Sequence, residues 1–150
     1  MYLELRNAFG KVFLQIGYNP VSDYVYCNWL SYQTKESVMH GATVMLDLLQ
    51  QHGCRKVLNN NTQVVGPWDH SIGWLYQVWL PKALALGLNQ FANVSVQDSF
   101  SDESFTKISD LANLNLFVNT FTDEEVAKEW LKISPLTLSA LHAVGEAVPA

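Results

Sequence analysis

Asp69-His70-Ser71 sets a carboxylate, an imidazole and a hydroxyl side by side, the three group types of a nucleophilic triad. The spacing argues against that chemistry. Consecutive residues of a helix point about 100° apart, so the three cannot pass a proton in line. Asp69 is better placed as a helix-start carboxylate. His40, His52, His70 and His142 stand at no metal-ligand spacing, and neither Cys27 nor Cys54 has a partner at such spacing. No glycine run resembles a P-loop or a dinucleotide fingerprint. The paired carboxylates Asp102-Glu103 and Asp123-Glu124-Glu125 sit where helices begin, which makes them dipole partners before acid/base pairs. No nucleophile and base can be paired, so the expectation is a non-catalytic protein without metal or cofactor.

The stretch "KVLNNNTQVVGPWDHS", Lys56 to Ser71, is the strongest candidate for binding. The short strand "RKVLN" runs into Asn59, Asn60, Asn61 and Thr62, at the carboxyl end of a strand, where open α/β sheets hold their ligands. Two readings stand side by side. The four residues satisfy loop backbone groups as the chain leaves the sheet, or they form the polar rim of a ligand cleft. Beyond Gly66-Pro67, Trp68, Ile72, Leu75 and Trp79 recur at helical spacing and mark one inward face. Trp74 lies off that face. With Tyr76 it lines a groove, forms a subunit contact, or simply packs.

These residues need elements to hold them. "KVFLQIGY" alternates Val12, Leu14, Ile16 and Tyr18, a strand pattern, and "YVYCNWLSY" is its partner across the Asn19-Pro20 turn. "YLELR" is expected as a short edge strand. From Thr34 to Gln51 the period becomes helical through Val38, Ala42, Met45 and Leu49, with Thr34 as N-cap and Gly53 just past the end. Pro81 should kink or restart the Trp-rich helix, because it removes a backbone donor. "FANVSV" and Leu114 to Phe121 read as strands. Ser101 is expected to start one helix, with Phe100 and Phe105 as its staple. Thr122 and Glu125 are expected to form a capping box on the next, with Phe121 and Val126 as its staple. The predicted core includes Val38, Met45, Leu49, Ile72, Leu75, Val94, Phe117 and Trp130. The order implies an α/β fold, a mixed β-sheet flanked by helices, with right-handed crossovers.

Hydrophobic residues make up 49% of the 150 and charged residues only 15%. That suits one domain with a sizeable core and a sparsely charged surface. A formal net charge of -5 with scattered Lys and Arg leaves no basic stripe for nucleic acid and repels an anionic membrane surface. No apolar run reaches membrane-spanning length, and the N-terminus lacks a signal pattern. The expected location is cytoplasmic, with both cysteines as free thiols. Residues 1–132 are expected to form the single domain. The apolar tail 133–150 should pack on it or on a partner subunit. The surplus of apolar and aromatic groups points to a homodimer.

"FTDEEVAKEWL", Phe121 to Leu131, resembles the closing strand-helix of SpoIIAA-like proteins, bacterial relatives of STAS domains and of the lipid-binding CRAL-TRIO domains. Phe121, Ala127, Trp130 and Leu131 occupy the positions of that pattern, and the order of elements from Lys11 to Lys132 fits it, including "WLP" in the Trp-rich helix. The resemblance implies a SpoIIAA-like α/β fold. It implies an interaction or regulatory module that binds a protein partner or small apolar ligand, or alternatively a lipid or hydrophobic-ligand carrier. It also implies a phospho-acceptor hydroxyl just after a central strand, which by position is Thr62, with Ser71 further on. Here the sequence departs from the pattern. Asn59 to Asn61 stand where an Asp is expected, and Gln63 to Pro67 separate Thr62 from the helix. That departure argues against phospho-regulation at Thr62.

Overall fold

The computed structural model describes residues 2–109 and 116–145. Six strands form one sheet: β1 (Tyr2–Arg6), β2 (Val12–Asn19), β3 (Tyr24–Ser31), β4 (Lys56–Val64), β5 (Gln90–Val94) and β6 (Phe117–Phe121). Their spatial order is their order in the chain. The opening hairpins make β1, β2 and β3 antiparallel neighbours, and β3 to β6 run parallel. The fold is therefore α/β with a mixed sheet flanked by helices, and "YLELR" is an edge strand. Leu114 and Asn115, expected at the start of the last strand, lie outside the described residues.

The crossovers are α1 (Lys35–His52), an irregular helical stretch over residues 69–85, and α4 (Phe100–Ser109). Residues from all three enter one hydrophobic cluster with Leu14, Val25, Val57 and Phe91 of the sheet, so the crossovers share one face. Parallel strands that advance in one direction with their crossovers on one face give every crossover the same hand. The opposite face of β4 to β6 is covered by α5 (Glu124–Leu131) and α6 (Pro135–Ala143), which bury Phe121, Ala127, Trp130, Leu131 and Leu138 against Leu58, Ala92 and Val94. The four residues that carry the SpoIIAA-like resemblance thus form part of one buried cluster. Among the described residues no helix is long and apolar enough to cross a membrane.

Local chemistry sets the boundaries. The Thr34 hydroxyl accepts from the Ser37 amide and the Ser37 hydroxyl accepts from the Thr34 amide, a reciprocal cap on α1. Gly53 closes α1 at a φ of 58°, a left-handed conformation that a side chain would strain. The caps of α4 and α5 differ from expectation by one or two residues. Ser99, not Ser101, accepts from the Asp102 amide, and Asp123, not Thr122, accepts from the Glu125 amide. Phe100 is 65% exposed and staples nothing, while Phe105 turns inward. Phe121 is buried on Trp130, whereas Val126, its expected staple partner, stays 37% exposed.

Two deviations matter for the site. The Trp-rich stretch is not one kinked helix. A 3₁₀ turn (Asp69–Ser71) leads through α2 (Ile72–Trp74) into a π-helical turn (Leu75–Trp79), and α3 (Leu80–Ala85) carries Pro81 in its first turn. Proline lacks the amide that would continue the α ladder, and the widened turn lies directly before it. The second deviation is β4, which runs nine residues to Val64 and does not end at Asn59.

Candidate functional site

The asparagine stretch is strand, not exit loop. β4 is central and parallel on both sides, so alternate residues face opposite layers. Asn59 and Asn61 face the crossover helices, and Asn60 faces α5. All three are buried, each less than one-tenth exposed. Along β3, Asn28 pairs with Asn60 and Leu30 with Gln63, so Trp29 alone stands opposite Asn61 and Thr62. The extra residue is a bulge in β4. It disturbs the ladder at Thr62, and the Asn60 carboxamide supplies the substitute partner. Its Oδ1 accepts the Thr62 amide at 2.9 Å and the Thr62 hydroxyl at 2.7 Å. The half-buried Thr62 hydroxyl is therefore engaged within its own strand.

On the crossover face the buried amides form a network. Trp29 Nε1 donates to Asn59 Oδ1 at 2.8 Å. Asn59 Nδ2 donates to Asn93 Oδ1 at 3.1 Å and to Asn61 Oδ1 at 3.3 Å, and Asn61 Nδ2 donates to Asn93 Oδ1 at 3.3 Å. The chain continues from Asn93 Nδ2 to Ser95 Oγ and from Ser95 Oγ to Asp102 Oδ1, tying β3, β4, β5 and α4 together. Polar groups removed from water persist in a core when they satisfy one another.

Above Asn59 and Asn61 lies a cavity of about 100 Å³ between the sheet and the crossovers. Its walls are aromatic: Trp29 from β3, Trp68 and Trp79 from the Trp-rich stretch, Phe91 from β5 and Phe105 from α4. Half-exposed Val64, Leu75 and Val118 also border it. The indoles are held by their nitrogens, which point their hydrogens elsewhere. Trp68 Nε1 donates to Ser101 Oγ at 3.0 Å and Trp79 Nε1 to the Ala42 carbonyl at 2.9 Å. Phe91 stacks on Phe105 with ring centroids 5.7 Å apart. Among the described residues no ionisable side chain lines this cavity.

Asp69, His70 and Ser71 form no triad. The Asp69 carboxylate is bound by the Ser104 hydroxyl and by Lys107, which holds its pKa below the usual carboxylate range, and it does not reach His70. His70 Nε2 lies 3.0 Å from the Gln33 carbonyl, so it carries the proton. Nδ1 lies 2.8 Å from the Ser71 hydroxyl. That hydroxyl is fully buried and does not border the cavity.

Of the residues singled out in the sequence, Asn59, Asn61 and Trp68 are brought together at the cavity. Asn60 lies on the other face, 3.4 Å from Glu124. Trp74 is half-buried on the crossover-face core and Tyr76 is 42% exposed, and neither borders the cavity. Sequence reasoning missed Trp29, Gln33 and Asn93. The signal for Asn93 was present, because alternation in "FANVSV" puts Phe91, Asn93 and Ser95 on one face. Among the described residues no cluster of three or more His, Cys, Asp or Glu is placed to hold a metal.

No protein-family model matches the chain, and no curated protein matches it. The SpoIIAA-like resemblance rests on the residues quoted for it.

Proposed function

We propose that the protein is a non-catalytic binding module that takes a small, mostly apolar ligand between its sheet and its crossover helices. The observation that carries this reading is the aromatic-walled cavity over Asn59 and Asn61, at the carboxyl half of β4. An apolar cavity of about 150 Å³ in another protein binds benzene, and this one, at about 100 Å³, limits its ligand to a single ring at most. A carrier of long acyl chains would need more room, since sites for larger ligands typically run about 300–1,000 Å³. That supports the binding module over the lipid carrier.

The test is native mass spectrometry of the purified chain for a retained small molecule, followed by titration of the tryptophan fluorescence with benzene. Saturable quenching that Val64→Phe abolishes is the expected result, because the larger side chain fills the cavity from its border. Binding unchanged in that variant would place the ligand elsewhere.

The expected homodimer has its own support. Tyr32, Val65 and Val96 follow the carboxyl ends of β3, β4 and β5 and stay 58%, 64% and 55% exposed. A self-complementary apolar rim suits a two-fold contact. Sedimentation of the chain and of Val65→Lys tests it, with a monomer in the first experiment refuting the dimer.

A further inference from the structure

Among the described residues that line the cavity, the side-chain N–H groups are almost all spent, and what remains specifies a ligand class. Each Trp in the wall has one N–H, and all three are used outside the cavity or on Asn59. Gln33 donates to the Phe13 and Leu30 carbonyls and accepts from Ser37. Asn59 spends both N–H groups on Asn61 and Asn93, and Asn61 spends one on Asn93. Counting two donors and two lone pairs per carboxamide, one Asn61 N–H and one lone pair on each of Gln33 Oε1, Asn59 Oδ1 and Asn61 Oδ1 remain. Among the described residues, everything else that lines the cavity is ring face, aliphatic surface or the Met45 thioether, without a charge to meet an ion.

We infer that this site, on the binding reading above, selects a neutral ring-sized compound bearing a single hydroxyl, the chemistry of a simple phenol. A hydroxyl both donates and accepts, which matches the unspent Asn61 N–H beside unspent carboxamide lone pairs. A bare hydrocarbon leaves them unmet, and a carboxylate or ammonium loses its hydration with no opposite charge in return. The aromatic walls offer offset and edge contacts to a ring.

The experiment is calorimetric titration of the full chain with phenol, benzene and benzoate, repeated on Asn61→Leu. Phenol is expected to bind roughly three- to tenfold more tightly than benzene, the worth of one net hydrogen bond between neutral groups. Benzoate is expected not to bind. In Asn61→Leu the phenol-to-benzene ratio should fall below that of the natural chain, because the Asn61 N–H and lone pair are gone while Asn59 Oδ1 keeps its own. Equal affinity for phenol and benzene in the natural chain overturns the hydroxyl selection and leaves the cavity as a binding site. Benzoate binding as tightly as phenol overturns it as well. Failure of all three probes overturns both the selection and the binding reading. The natural-chain series decides alone if Asn61→Leu does not fold, and a full phenol preference retained in a folded Asn61→Leu also overturns the inference.

Discussion

Trp29 Nε1 and Asn59 Oδ1 meet at 2.8 Å across the parallel β3–β4 pair, thirty residues apart in the chain and both buried. The bond joins the indole wall of the cavity to the amide network beneath it. Asn59→Leu would strand the indole N–H, and leaving one buried donor unmet costs about 1–3 kcal/mol. Trp29→Phe removes the donor along with part of the packing. The double variant should therefore lose less stability in urea than the two single losses added. Strict additivity would show that the pair contributes nothing.

The sequence made the layers legible and the site only in part. Alternation located β2 and β3, and helical period located α1, because each buries one face and the period records it. The strand β4 was cut short because three asparagines and a threonine read as loop chemistry. In the folded chain each buried carboxamide has partners on other strands or on the bulge, and those partners are not visible in a local window. The Trp-rich stretch was right as an inward face, with Trp68 and Trp79 buried and Ile72 and Leu75 partly buried against the same core. The π turn ahead of Pro81 has no periodic signature of its own.

Gly41 lies inside α1, where alanine is ordinarily the better residue by about 1 kcal/mol. Here a β-carbon would stand 2.7 Å from Leu14 Cδ2 and closer still to the Trp29 ring. Gly41→Ala is therefore expected to destabilise the protein by about 1–3 kcal/mol, the range for overpacking. A midpoint in urea that rises would show that α1 sits farther from the sheet.

Cys27 and Cys54 are both free and buried, and burial pushes both thiols upward in pKa, Cys27 the more strongly. A raised pKa leaves the unreactive thiol form at pH 8. Neither cysteine should react promptly with a chromogenic disulfide reagent in the native chain, and both should react at once in denaturant. Immediate native labelling of Cys27 would contradict its burial.

Trp130 is 3% exposed against Phe121, yet its Nε1 has no hydrogen-bond partner among the described residues. The ring and its N–H therefore oppose each other energetically. Trp130→Ala should cost about 3–5 kcal/mol through the cavity it leaves. Trp130→Phe keeps much of the ring and deletes the orphan donor, so its cost should be no more than half of that. Equal losses in thermal unfolding for the two variants would show that the N–H is satisfied in solution.

Leu136 and Leu138 share α6 and separate two roles for the tail. Leu138 is fully buried among Leu58, Trp130 and Leu131 of its own chain, whereas Leu136 is 82% exposed. A tail that folds back on its own domain makes Leu138→Ala cost about 2–5 kcal/mol at every protein concentration. Leu136→Ala should then stay within about 0.5 kcal/mol of the natural chain. A tail that holds two subunits together would reverse the pattern for Leu136, with a loss that grows on dilution, because a dimer's stability depends on subunit concentration. The packing of Leu138 favours the first outcome, so unfolding midpoints measured across a hundredfold range of concentration should separate Leu138→Ala from the natural chain by a constant interval and leave Leu136→Ala beside it.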